Sequence, residues 1–92
     1  MKRKDNFVLQ NVGGENLLVP TGEAVTDLNG IVTLNETGVF VWQLLSEERT
    51  LDELAASVAR EFGIDQTRAR FDVQVFLEEI KQFGLLVYQG DR

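Results

Sequence analysis

The spacing of apolar residues changes near residue 35, and this change constrains the fold more than any other feature of the sequence. Before it, short segments rich in β-branched and aliphatic residues alternate with turn-forming residues, as in an antiparallel sheet. After it, apolar residues recur every three or four positions, as on one face of a helix. The length of 92 residues allows one domain. The sequence therefore predicts a single α+β domain in which the sheet precedes the helices.

The first part of the chain predicts a three-stranded antiparallel sheet. The segments with strand-forming composition are residues 7–12, 16–19, 23–28 and 31–34. Turn signals separate them, and Asn29-Gly30 is the strongest because both central positions of a type I′ turn require positive φ. The second and third segments together form a bent middle strand, so the predicted sheet is a meander of three strands.

Three helices are predicted after the sheet, and each begins at a residue suited to capping. Asn35 is a good N-cap for a helix over residues 36–45. Thr50 begins a second helix with a capping box, and Asp65 caps a third over residues 66–83. The main apolar stripe of the third helix is Ala69, Val73, Phe76, Leu77, Ile80 and Phe83. This order of elements gives the α+β domain a winged-helix-like character.

The composition excludes many catalytic and metal-binding functions. The chain contains no His and no Cys, so it lacks the usual general base, the thiolate nucleophile and the commonest zinc ligands. No cofactor or metal site is predicted, and an enzyme is not expected. The net charge of −6 argues against nucleic-acid binding, which depends on neutralising phosphates with Lys and Arg. These exclusions favour a binding module.

The N-terminus carries three consecutive basic residues, Lys2, Arg3 and Lys4, but no apolar segment of a signal peptide follows them. We expect them to form a frayed, solubilising end. No apolar run approaches the length of about 18 residues that a membrane-spanning helix needs. A cytoplasmic protein without membrane contact is therefore expected.

Two apolar residues of the third helix, Phe71 and Val75, lie off its main stripe. They are four residues apart and are therefore neighbours on the helix surface. Arg68, Asp72, Glu79 and Gln82 flank this second face. Arg68 and Asp72 are four residues apart, and we expect them to form an intrahelical ion pair in preference to Asp72 receiving a cation or backbone donor of a partner. Two explanations for the second apolar face remain open. It packs against the sheet or residues 85–88, or it contacts a binding partner.

Residues 31–34 are expected to lie at an edge of the sheet, because they follow two partners in the meander. An edge strand presents unpaired N–H and C=O groups. Residues 85–88 or a second copy of the chain would satisfy them, and an extended peptide would do so as well. If this edge lies beside Phe71 and Val75, the two form a groove for an extended peptide with apolar anchors.

An ordered set of short motifs carries a resemblance to a known family. The motifs are GIVTLNETG at residues 30–38, VWQLL at 41–45, DV at 72–73, FL at 76–77 and GLL at 84–86. In this order they resemble PqqD-like proteins over about residues 7–88. By this resemblance, residues 1–92 are identified as a single PqqD-like peptide-binding domain with an ordered core over about 7–88.

The resemblance implies a RiPP recognition element, a non-catalytic peptide chaperone. Such domains bind the leader of a ribosomally made precursor peptide and present it to a separate modifying enzyme, often a radical-SAM protein and in other cases a protease. In the family the leader adds as a strand to the third strand and packs against the third helix. The peptide-binding residues implied here are Ile31, Val32, Thr33, Leu34, Arg68, Phe71, Asp72 and Val75. Either a monomer or a dimer is compatible with the sequence.

The alternative is an acidic winged-helix interaction or DNA-binding module. Its recognition helix would have to be basic. Residues 65–83 contain three basic and four acidic residues, which is the wrong sign for phosphate.

Overall fold

The computed structural model describes residues 1–5, 7–21 and 32–87. Within these ranges the strands are β1 (Lys2–Arg3), β2 (Phe7–Val12), β3 (Glu15–Pro20), β4 (Val32–Leu34) and β5 (Leu86–Val87). The helices are α1 (Glu36–Leu44), α2 (Leu51–Phe62) and α3 (Gln66–Gln82). The α+β fold with a three-stranded antiparallel sheet and three helices confirms the prediction.

The main sheet has the order β2-β3-β4, and both pairs are antiparallel. The β2–β3 hairpin turns at Gly13 and Gly14, whose φ angles of 60° and 85° are ones that L side chains rarely adopt. The predicted segment at residues 23–28 and the turn at Asn29-Gly30 lie outside the described residues. β3 pairs with β4 in the register Leu18↔Val32, which places β4 at one side of the sheet.

The predicted caps begin all three helices. The Asn35 side chain accepts a hydrogen bond from the Gly38 amide at 2.8 Å. Thr50 and Glu53 form the reciprocal capping box, with distances of 3.1 and 2.8 Å. Asp65 accepts from the backbone amides of Thr67 and Arg68. Because each cap acts over only three residues of sequence, its pattern is visible without knowledge of the tertiary structure.

The core lies between the inner face of the main sheet and the three helices. Its largest fully buried side chains are Trp42, Leu18, Leu45, Leu54, Ile80, Leu85, Val41, Val58 and Val73. Phe83 was expected to extend the α3 stripe, but it is 46% exposed. The helix ends at Gln82 and the chain reverses at Gly84, which has a φ of 73°, so Leu85 occupies the core at this end.

The expectation of a frayed N-terminus is wrong. β1 pairs antiparallel with β5, and Lys4 donates from its backbone amide to the Leu85 carbonyl at 2.9 Å. The amino group of Met1 forms an ion pair with Glu48 at 2.7 Å. β5 therefore pairs with β1 and not with β4. Within the described residues, the C-terminal extended segment does not cover the edge of the main sheet.

Candidate functional site

A groove with a volume of about 630 Å³ lies between β4 and α3. One wall is β4 with the start of α1, and the other is one face of α3. The residues that line it are Val32, Thr33, Leu34, Asn35, Thr37, Arg68, Phe71, Asp72, Val75, Phe76, Glu79 and Ile80. These residues define the groove discussed below. It is the meeting point of an edge strand and the second apolar face of a helix.

Among the described residues, β4 is paired along one side only. Thr33 lies opposite Leu17 of β3, and no strand lies along the other side of β4 in the ranges that the structure describes. Val32 and Leu34 are buried, whereas Thr33 between them is exposed. This alternation is that of a regular strand. The side of β4 that has no partner in the described ranges can therefore offer backbone N–H and C=O groups to another extended chain.

Phe71 and Val75 face the groove and do not belong to the core. Phe71 is 62% exposed and Val75 is 46% exposed. The other face of α3 is occupied by Ala69, Val73 and Ile80, all fully buried. Within residues 1–5, 7–21 and 32–87, neither side chain is packed in the core, and α3 has one apolar face in the core and one at the groove.

The predicted ion pair between Arg68 and Asp72 is present. The Arg68 Nε atom lies 3.3 Å from both carboxylate oxygens of Asp72. A second pair joins Arg70 of α3 to Asp52 of α2. Glu79, farther along the groove wall, makes no ion pair within the described residues. Arg68 and Arg70 are thus matched by carboxylates, whereas the negative charge that Glu79 adds to the groove is not matched by any cation of the described ranges.

The inner end of the groove depends on close packing between α1 and α3. A Cβ atom added at Gly38 would lie 3.0 Å from Cε1 of Phe76. This distance is tighter than nine in ten real Cβ contacts, so a larger residue at position 38 would require the Phe76 ring to shift by a few tenths of an ångström. Phe76 is 7% exposed, so it supports the groove from the core side.

Seven of the eight predicted peptide-binding residues line this groove. They are Val32, Thr33, Leu34, Arg68, Phe71, Asp72 and Val75. Ile31, the eighth, lies outside the described residues. Their peptide-binding role remains a prediction.

The sequence did not assign Asn35, Thr37, Phe76 or Ile80 to the groove. Glu79 was expected to flank the second apolar face, four residues after Val75, but it was not counted among the peptide-binding residues. Phe76 and Ile80 belong to the core stripe of α3, and they also line the groove on the side where it meets the core. Asn35 and Thr37 reach it because α1 begins directly after β4.

No helix within residues 1–5, 7–21 and 32–87 is long and apolar enough to cross a membrane. Over the same part of the chain, no group of acidic side chains is arranged to hold a metal ion.

Comparison with known proteins gives a family and a fold. The family model described as coenzyme PQQ synthesis protein D (PqqD) matches residues 7–86. A search of curated proteins finds no significant match. Among solved structures, the chain is similar to one described as TbiB1 in complex with the TbiA(beta) leader peptide. The TM-score is 0.72 at 23% sequence identity, and the similarity covers 100% of this chain and 99% of that one. At this identity the likeness shows a shared fold.

Proposed function

The chain belongs to the PqqD family, and we propose that it is a RiPP recognition element that binds the leader of a ribosomally made precursor peptide. The leader adds as a strand along the side of β4 that has no partner in the described part of the chain, and it places apolar side chains against Phe71 and Val75. The peptide-binding residues of this proposal are Ile31, Val32, Thr33, Leu34, Arg68, Phe71, Asp72 and Val75.

One observation carries the proposal: β4, whose outer side has no partner strand within the described residues, and two exposed apolar residues line the same groove. An added strand gains affinity from main-chain hydrogen bonds and specificity from pockets for alternate side chains. The described part of β4 offers the main-chain hydrogen bonds, and Phe71 with Val75 offers the contacts for alternate side chains. The solved relative supports this assignment, because that protein is described as a complex with a leader peptide.

We further propose that the chain does not itself catalyse a reaction. PqqD-like recognition elements are generally non-catalytic, and this sequence has neither His nor Cys. A separate cytoplasmic enzyme, of the radical-SAM or protease class, would modify the peptide that this domain presents.

A DNA-binding function is not favoured. Arg68 and Arg70 of α3 are engaged by Asp72 and Asp52, and Glu79 adds a negative charge to the same helix. Phosphate binding needs a surface with excess Lys and Arg.

The test is an amide NMR titration of the chain with synthetic leaders of short precursors encoded beside its gene. Chemical-shift changes are expected at residues 32–34 and 68–75. If every such leader leaves these residues unmoved at saturating concentration, the proposal is wrong.

A matched pair of variants distinguishes groove contact from general loss of apolar surface. Val75 in the groove and Val8 on β2 are 46% and 43% exposed, and Val8 does not line the groove. Val75→Asp should weaken leader binding, whereas Val8→Asp should not. Circular dichroism of both variants verifies that each remains folded. Equal affinity of the two variants for the leader would contradict the proposed site.

A further inference from the structure

Three groove residues follow one another along α3 at intervals of four. They are Phe71, Val75 and Glu79, and all three line the groove. With a rise of about 1.5 Å per residue, each interval advances about 6 Å along the helix axis. Their order gives the wall two apolar positions followed by an acidic one.

A peptide strand can match this spacing. Successive side chains of a strand point to opposite faces, and alternate ones are about 6.6 Å apart. The mismatch with α3 is about 0.6 Å per interval, which side-chain rotamers can absorb over two intervals. A strand that lay between β4 and α3 and ran along the α3 axis would direct every second side chain toward α3. Three such side chains would then face Phe71, Val75 and Glu79 in turn.

The charges of the wall decide what the third side chain should be. Arg68 and Asp72 neutralise each other at a distance of 3.3 Å. Glu79 has no ion-pair partner among residues 1–5, 7–21 and 32–87, so it leaves the wall with a net negative charge at that end. A cationic side chain opposite Glu79 would be attracted, and an acidic one would be repelled.

From this spacing and charge, we infer that Glu79 is a specificity-determining residue that selects peptides with a Lys or Arg at the third of three alternate positions. Read in the direction of α3, the recognised segment is apolar, any residue, apolar, any residue, basic. This inference rests on the proposed peptide-binding function and names the class of peptide that the groove accepts.

Glu78 provides a matched control. It is the adjacent residue, it is also exposed, and it does not line the groove. Glu79→Lys and Glu78→Lys change the net charge of the chain equally. A difference between them therefore reports the position of the charge and not the total charge.

The experiment selects binders from a displayed library of random peptides against the wild-type chain, Glu79→Lys and Glu78→Lys. With the peptide read in the direction of α3, wild type and Glu78→Lys should enrich Lys or Arg two positions after the second apolar residue. Glu79→Lys should enrich Asp or Glu at the same position. For one selected peptide, Glu79→Gln should weaken binding about two- to fivefold, the range of an exposed ion pair. This difference should shrink near 1 M salt, where the Debye length is about 3 Å.

The outcomes separate this inference from the proposed function. If all three proteins select the same sequence, the role of Glu79 is refuted while peptide binding stands. If the wild-type chain enriches no peptide over a Val75→Asp control, both the groove function and the role of Glu79 are refuted.

Discussion

The guanidinium carbon of Arg3 lies 5.3 Å from the centre of the Trp42 ring, and Arg3 Nη1 donates to the Trp42 carbonyl at 2.9 Å. Trp42 is a buried residue of α1, so this contact packs β1 against α1. The backbone amide of Arg3 also donates to the Leu45 carbonyl at 2.9 Å. The N-terminus is therefore part of the folded domain.

Replacing Arg3 should lower the free energy of unfolding, although the residue lies near the N-terminus. Arg3→Ala removes the cation–π contact and leaves the Trp42 carbonyl without its side-chain donor. We expect a loss of about 1–2 kcal/mol in the free energy of unfolding. Urea denaturation followed by Trp42 fluorescence measures it. Lys2→Ala is the control, since Lys2 is exposed, and equal midpoints for the two variants would contradict a structural role for Arg3.

Phe71 and Phe76 both line the groove but should respond differently to truncation. Phe76 is 7% exposed, and Phe76→Ala should cost about 3–5 kcal/mol because it leaves a cavity in the core. Phe71 is 62% exposed, and Phe71→Ala should change stability by about 0.5 kcal/mol or less. Chemical denaturation of both variants tests this. A large stability loss in Phe71→Ala would place that side chain in the core and remove it from the groove's accessible surface.

Much of the fold could be predicted because its signals are local. Asn35 and Asp65 cap helices within three residues of themselves, and the Gly13-Gly14 turn joins adjacent strands. The pairing of β1 with β5 could not be predicted in this way. Each of these strands has only two residues, too few for a period, and the pair joins opposite ends of the described chain.

The groove was predictable for a different reason. Phe71 and Val75 were not needed by the core stripe, and the structure leaves both exposed beside β4. That Phe76 also lines the groove could not be predicted from periodicity. Periodicity places Phe76 on the core stripe, and it does not show whether the ring of a core residue also borders the groove. That depends on how closely α1 approaches α3 at Gly38, which is a tertiary contact.

The capping box of α2 should contribute measurably to stability. Thr50→Ala removes the hydroxyl that accepts from the Glu53 amide at 3.1 Å. The expected cost is about 1 kcal/mol. Thermal unfolding by circular dichroism measures it, and Thr50→Ser, which keeps the hydroxyl, should recover most of the loss. Failure of the serine variant to recover stability would attribute the effect to the lost methyl group.

The ion pair between Arg68 and Asp72 should contribute little to folding. Arg68 is exposed, with 67% of its side chain accessible, and solvent screens the pair. A double-mutant cycle with Arg68→Ala and Asp72→Ala should give a coupling energy of about 0.3–0.5 kcal/mol. The cycle is measured by urea denaturation at low salt and repeated at high salt, where the coupling should fall.

The same cycle performed on leader affinity tests the electrostatics of the groove. If Arg68 serves mainly to neutralise Asp72, Arg68→Ala should make the groove more negative and favour basic peptides, and Asp72→Ala should have the opposite effect. The double variant should return the preference toward that of the wild type, because the net charge of the wall is then restored. A peptide preference that is identical in all four proteins would show that the pair has no part in selecting the ligand.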